Sequence, residues 1–171
     1  MKQAVKISTS GVSFRKDKKI ISGVTVKQLI RHRDDRGFFE ELIRITDDFF
    51  SEGFGQLSHS YMYTGTIKAW HVHYKQVDWW YCIKGDLKVA LCDVRPESQT
   101  FGIINQFQIG EHSQNIILKI PPGVAHGCKV AGGSAELLYV TSGIYDPAEE
   151  GRIAHDDKNI GFDWLMPPDI K

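Results

Sequence analysis

The stretch TIKAWHVHYKQVDWWYCIKG (66–85) decides how this chain reads. His71 and His73 stand two residues apart among Ile67, Trp70, Val72 and Tyr74. Side chains of a strand alternate between its faces, so both imidazoles share one face and Trp70 and Val72 take the other. Trp79 and Trp80 are adjacent, so one enters the core and the other points the opposite way. Two imidazoles side by side in a barrel can ligate a metal or carry acid–base chemistry. On spacing alone they can equally be ordinary half-buried histidines.

Working outward, similar segments rich in Val, Ile, Tyr, Phe and Trp recur. They are VTVKQLI (24–30), FEELIRI (39–45), QLSHSYMY (56–63), TIKAWHVH (66–73), DWWYCIK (78–84), LKVALCDV (87–94), NIILKI (115–120), VAHGCKV (124–130) and AELLYVT (135–141). Turn signals stand between them: TG at 64–65, KGD at 84–86, PPG at 121–123 and AGG at 131–133. Many short strands at regular spacing predict an all-β sandwich or barrel. Only TDDFFSEG (46–53) reads as a helix, with Thr46 as N-cap and Gly53 near its end.

The chain of 171 residues reads as a single domain over 1–171. Residues 1–22, with the basic run RKDKK at 15–19, form an N-terminal arm or edge strand, and 143–171 an irregular C-terminal segment packed on the barrel. Lys and Arg number 21 and Asp and Glu 21, giving zero formal charge. A nucleic-acid partner usually demands a basic excess, so none is expected. No apolar run approaches the roughly 20 residues of a membrane helix, and MKQAVKISTSGVSF has no apolar signal-peptide core. Cys82, Cys92 and Cys128 lack CxxC spacing and read as reduced thiols of a cytoplasmic protein.

The spacing Gly65-(five)-His71-x-His73-(four)-Asp78-(six)-Gly85 resembles the first motif of the cupin superfamily, with Asp78 where that motif usually has Glu. Pro121, Gly123 and His126 resemble part of the second motif, although Asn115 and Val130 replace its leading Gly and trailing Asn. The resemblance implies a cupin jelly-roll β-barrel with few short helices. In metal-binding cupins the matching positions hold the ion, here His71, His73, Asp78 and His126.

A second resemblance covers about residues 23–164. DDRGFFEE (34–41), QLSHS (56–60), GTIKAWH (65–71), GDLKVALCDVRPESQTFG (85–102), IPPGVAHG (120–127) and YVTSGIYDPAEEGRIAHDDKNIGFDW (139–164) resemble, in order, motifs of the dTDP-4-dehydrorhamnose 3,5-epimerase family. That family is cupin-fold and metal-free, so the resemblance implies no cofactor. It implies that His71 is the catalytic base, Asp157 its carboxylate partner and Tyr139 the general acid. Tyr145 becomes the second tyrosine near the sugar. Arg36, Phe39 and Glu41 fall on the segment that meets the nucleotide, often across a dimer. Gln56, Ser60, Lys68, His73, Lys75 and His126 complete the expected substrate contacts.

The implied substrate is a nucleotide diphosphate 4-keto-6-deoxy sugar and the implied assembly a homodimer. The ketone acidifies the protons on both neighbouring carbons. A base removes one, a hydrogen-bond donor or cation stabilises the enolate, and an acid returns a proton to the opposite face. One position departs from the family: Asp78 stands where it carries a lysine near the enolate oxygen, and Lys75 is the nearby cation. The shortened His-x-His-x-Lys-Gln-x-Asp pattern resembles the branch of spore-coat polysaccharide epimerases. Two other readings stand beside the lead: a metal-dependent cupin enzyme on His71, His73, Asp78 and His126, and a non-catalytic sugar-nucleotide binding cupin.

Overall fold

The computed structural model describes residues 4–167. In chain order its strands are β1 (Val5–Lys6), β2 (Arg15–Lys16), β3 (Thr25–Gln28), β4 (His32–Asp34), β5 (Gly37–Phe39), β6 (Gln56–Met62), β7 (Ile67–His73), β8 (Asp78–Asp93), β9 (Ile103–Gly110), β10 (Ile116–Ile120), β11 (Val124–Thr141) and β12 (Glu150–Arg152). Single 3-10 turns at Asp48–Phe50 and Pro147–Glu149 are the described helices.

β8 and β11 pair antiparallel along nearly their whole lengths, from Val124 opposite Asp93 to Thr141 opposite Asp78. This long ribbon changes neighbours halfway. At one end β11 adds β7, which adds β12, while β8 adds β9. At the other end β11 adds β6, while β8 adds β10 and then β3. The sheet curls at the change, giving the all-β, cupin-like jelly roll expected from the sequence.

The expected turns at 84–86 and 131–133 do not break these strands. Gly85 takes a left-handed φ of 69°, and a Cβ there would stand 2.3 Å from the Ser134 carbonyl oxygen. The ladder shifts register between Val130 and Gly132 and again before Glu136 and Leu137. Glycine and bulges therefore bend a continuous pair around a corner where a sequence reading sees two hairpins.

The core between the curled halves includes Leu87, Val89 and Leu91 of β8, Leu118 and Ile120 of β10, and Leu137 of β11. A second cluster joins Trp70 and Val72 to Ile153, Ile160, Phe162 and Trp164 of the C-terminal segment. A third gathers Leu29, Phe50, Val77, Trp79, Tyr81 and Ile117. Trp79 and Trp80 thus enter different clusters, and Trp70 and Val72 take the face away from the histidines, as alternation requires.

Three local expectations change. The strand expected over 39–45 is confined to β5. Glu40 instead turns inward to accept from Arg31 Nε at 3.1 Å and Asn115 Nδ2 at 2.8 Å, while Leu42 and Ile43 lean on the third cluster. The helix expected over 46–53 is one 3-10 turn, whose N-cap position is Asp47 rather than Thr46. Lys27 Nζ holds the Asp47 carboxylate at 2.5 Å, and Trp79 Nε1 donates to the Phe49 carbonyl at 2.8 Å. β9 was not expected, because Asn105, Gln106 and Gln108 interrupt its apolar run. Asn105 is nevertheless buried: it accepts from the Ile21 amide at 2.8 Å and donates to the carbonyls of Asp17 and Lys19. The first 22 residues contribute two edge strands, β1 parallel to β12 and β2 parallel to β9.

Between β8 and β9, the sequence Asp93-x-Arg95-x-x-Ser98-x-Thr100 ties itself together. Arg95 Nε donates to Asp93 at 2.8 Å, and the Ser98 and Thr100 hydroxyls at 2.6 Å. Burial pushes the Asp93 carboxyl up, but these donors outweigh it and hold the group below the ordinary carboxylate range.

Candidate functional site

A cavity of about 420 Å³ opens beside the bend, and five strands supply its walls. β6 presents Gln56 and Ser60, β7 Lys68, His71 and His73, and β8 Asp78 and Trp80. β11 presents His126 and Tyr139, and β12 presents Glu150 and Arg152. Tyr145, from the loop after β11, lies at the edge, its backbone N–H donating to Gln56 Oε1 at 3.1 Å. Lys68 Nζ donates to Ser60 Oγ at 2.7 Å.

His71 is held at both ring nitrogens. β12 pairs antiparallel with β7, setting Arg152 opposite His71 and Glu150 opposite His73. Nδ1 lies 2.9 Å from Glu150 Oε1, and Nε2 meets Arg152 Nη1. Arg152 Nη2 also holds Glu150 Oε1 at 2.8 Å. An arginine can only donate, so Nε2 accepts and Nδ1 carries the proton, which it donates to Glu150. The imidazole is therefore neutral and its tautomer fixed. A neighbouring carboxylate ordinarily raises an imidazole pKa. Here burial outweighs it, followed by the charges of His126, Arg152, His73 and Lys68, and His71 is pushed down to about 2.

His126 is fully buried, and its Nδ1–H donates to the Val124 carbonyl at 3.0 Å. Its Nε2 therefore carries the lone pair and faces Asp78 Oδ2 at 3.7 Å. His73 Nε2 approaches the same oxygen at 3.7 Å. Asp78 accepts from Gln76 Nε2 at 2.9 Å and from Trp80 Nε1 at 3.1 Å. Among the described residues, His73, Asp78 and His126 are the group whose donor atoms converge closely enough to hold a metal, all lying within 4.8 Å of one another. His71, expected as a fourth ligand in the metal reading, is not in that group.

Burial is the main force that pushes His126 down from 6.5 to about 4; His73 adds to it and Asp78 opposes it. The unfolded chain, at the ordinary value, binds more protons between these two pH values, so stability is full above pH 6.5 and falls as pH drops towards 4. The loss attributable to His126 is about 3 kcal/mol. Urea unfolding from about pH 7 to about pH 4.5, with a chelator present, checks it: His126→Gln should flatten the slope. Parallel slopes for the two proteins would assign the acid sensitivity elsewhere.

Five expected site residues lie outside the cavity. Asp157 does not pair with His71. Both its oxygens accept from the Thr9 hydroxyl at 2.9 Å, and Oδ1 also caps the amides of Asn159 and Ile160. It closes the turn before Gly161 and fastens the N-terminal segment to the C-terminal one, as an Asp does when bonded to backbone just ahead of it. Lys75 points away, its side chain 79% exposed and paired with Glu149 at 2.6 Å. Arg36, Phe39 and Glu41 sit on and after the exposed β4–β5 hairpin, where Arg36 holds Asp34 and Glu41 holds Arg44. Glu150 and Arg152 were missed. Their spacing of two, with Gly151 between, matches that of His71 and His73 and is the signal that could have found them.

The family described as dTDP-4-dehydrorhamnose 3,5-epimerase matches residues 18–171. The chain is 45% identical over 148 residues to the spore coat polysaccharide biosynthesis protein SpsL of Bacillus subtilis, covering 85% of this chain and 97% of that protein. It is 36% identical to the probable low-salt glycan biosynthesis epimerase Agl13 of Haloferax volcanii, covering 84% of this chain and 94% of that protein. Among solved structures, a dTDP sugar isomerase from Desulfovibrio desulfuricans G20 superposes with a TM-score of 0.79 at 26% identity, over 84% of this chain and 92% of that one.

Proposed function

The chain belongs to the dTDP-4-dehydrorhamnose 3,5-epimerase family, on its spore-coat-like branch, and from this we propose that it epimerises a dTDP-linked 4-keto-6-deoxy sugar beside the ketone, with His71 as the base. Members of the family are isomerases. The observation that carries the residue assignment is the 2.9 Å contact from His71 Nδ1 to the buried Glu150 carboxylate, in a cavity that Tyr139 also lines.

Neutral imidazole is suited to removing a proton from a carbon beside a ketone. Nε2 takes the proton, the C–H electrons pass into the enolate, and Glu150 stabilises the imidazolium that forms, as the carboxylate of a His–Asp pair does. The Tyr139 hydroxyl returns a proton to the other face of the same carbon. The tyrosinate and imidazolium then recover their resting forms by exchange with water. Reactant and product are isomers, so the sequence needs no oxidant.

Arg152 rests on the nitrogen that must act. Its guanidinium occupies the Nε2 lone pair, so the sugar has to draw Arg152 away from Nε2 as it binds. The ketone oxygen and the diphosphate are both acceptors that can do so. Arg152 then stands beside developing negative charge, with Lys68 as a second cation on the cavity wall. The exposed hairpin carrying Phe38 and Phe39 supports a homodimer in which this segment meets the neighbour's nucleotide.

Incubation with a dTDP-4-keto-6-deoxyhexose in deuterated water tests the reading by NMR. Deuterium should enter at one or both carbons beside the ketone, and none at either would overturn it. Tyr139→Phe should keep the first exchange while product formation falls by about 10²-fold. Equal loss of both steps would remove Tyr139 from the acid role.

A further inference from the structure

We propose that Met62, Cys128 and Leu137 form an apolar subsite at the inner corner of the β8–β11 ribbon that takes the methyl group at C6 of the sugar, so that the chain selects 6-deoxy sugars over those with a 6-hydroxyl. The subsite deepens the epimerase reading and rests on it.

Three observations carry the subsite. The first is composition. Met62, Trp80, Cys128 and Leu137 are the apolar side chains on the cavity wall, and all four are buried. Every other described lining side chain carries a charge, a hydroxyl, an amide or an imidazole. A 4-keto-6-deoxy hexose is polar around its ring, and its methyl is the group that matches such a patch.

The second is placement. On β11, Cys128 follows His126 by two residues and Leu137 precedes Tyr139 by two. Each shares the face of that neighbour and lies one step nearer the bend. Met62 stands in the same relation to Ser60 on β6 and pairs opposite Ala135. Met62 Sδ and Cys128 Sγ lie 3.8 Å apart, which joins β6 to the first half of β11 in one surface. One same-face step along a strand is about 6.4–6.8 Å. A carbon gaining or losing its proton stands about 3–3.5 Å from the group that serves it. A methyl on that carbon touches apolar atoms at about 4 Å. The step from Tyr139 to Leu137 therefore spans the distance from a proton donor to a methyl beside the reacting centre.

The third is hydrogen-bonding capacity. Leucine has none, a thioether accepts weakly and a thiol donates weakly. The Cys128 S–H already points to Met62 Sδ. Trp80 Nε1 is taken up by Asp78, and the exposed Lys68 holds Ser60 Oγ. A hydroxyl carried to this corner leaves water without an equal partner, whereas a methyl gains by being buried.

The test titrates the whole purified chain by calorimetry with two unreactive probes, dTDP-6-deoxy-D-glucose and dTDP-D-glucose. Both lack the ketone, and they differ by one hydroxyl. The parent should bind the first about 10²-fold tighter, as an apolar pocket does against an added hydroxyl. Met62→Gln keeps the length of the side chain and brings an amide, so it should shrink that ratio at least about tenfold, chiefly by tightening dTDP-D-glucose. Met62→Leu stays apolar and should hold the ratio within about threefold. Cys128→Ser exchanges sulfur for oxygen and should shrink the ratio at least about threefold, and it decides if Met62→Gln does not fold. A parent ratio below about threefold overturns the subsite. So does an unchanged ratio in the folded polar variants, or failure of both probes to bind. Equal binding of the probes, with deuterium still entering a dTDP-4-keto-6-deoxyhexose, would remove the subsite and leave the epimerase reading standing. A full ratio without deuterium uptake would keep the subsite and remove the reaction.

Discussion

His71→Asn should abolish deuterium incorporation from solvent, lowering the exchange rate by at least about 10³-fold. Asparagine is close in size, and its amide N–H can still donate to Glu150, so the local ion pair of Glu150 and Arg152 keeps its place. What disappears is the basic nitrogen. Neither neighbouring imidazole can take over. His126 uses Nδ1 on the Val124 carbonyl and turns Nε2 to Asp78, and His73 Nε2 faces the same carboxylate. Trp70 and Val72, on the other face of β7, pack in a separate cluster, so the fold should survive, as circular dichroism can verify. A folded variant that retains a tenth or more of the parent rate would mean that the base has been misassigned.

Glu150→Gln should lower kcat by about 10²–10⁴-fold, while Asp157→Asn changes it by less than about threefold. The pair of variants separates the carboxylate named by the motif from the one that touches the base. Glutamine keeps the shape of Glu150 but cannot stabilise an imidazolium. Presented the other way round, its amide would donate to Nδ1 and force the proton onto Nε2, the wrong tautomer for a base. Arg152 would lose its buried counter-charge as well. Asp157→Asn instead weakens the tie between Thr9 and the turn before Gly161. Its expected effect is a stability loss of about 1 kcal/mol, read by urea unfolding. Full activity in Glu150→Gln with a dead Asp157→Asn would reverse the assignment.

The difference between these two acids marks how far the sequence could be read. Period-two alternation exposes β7 completely, because Trp70, Val72, His71 and His73 sort onto faces by a rule that needs no partner strand. The all-β class was legible from short strands at regular spacing, and the jelly roll from the resemblance to cupins. The 16-residue β8 and 18-residue β11 were not, since glycine in a bend and glycine in a hairpin look alike until the ladder is traced. Glu150 and Asp157 both lie in an acidic tail, and only the pairing of β12 with β7 selects the first. That contact joins residues 79 positions apart, a separation no local pattern encodes. Arg152 was hidden by the same pairing. For Lys75 the sequence leaves open a replacement cation or a solvent-facing side chain, and the chain turns it outward to Glu149.

His126 and Tyr139 stand near the two ends of β11, and that one ribbon, with β8 bonded alongside, runs through the bend beside the cavity. The spacing between these two groups is a property of the sheet itself, fixed when the chain folds. The bend at Gly132 and the register shifts before Glu136 and Leu137 lie between them, so the corner of the ribbon sets how far apart they stand. On the proposed reading, which of two neighbouring carbons is reached depends on the angle of that corner and not on the residues at either end of it.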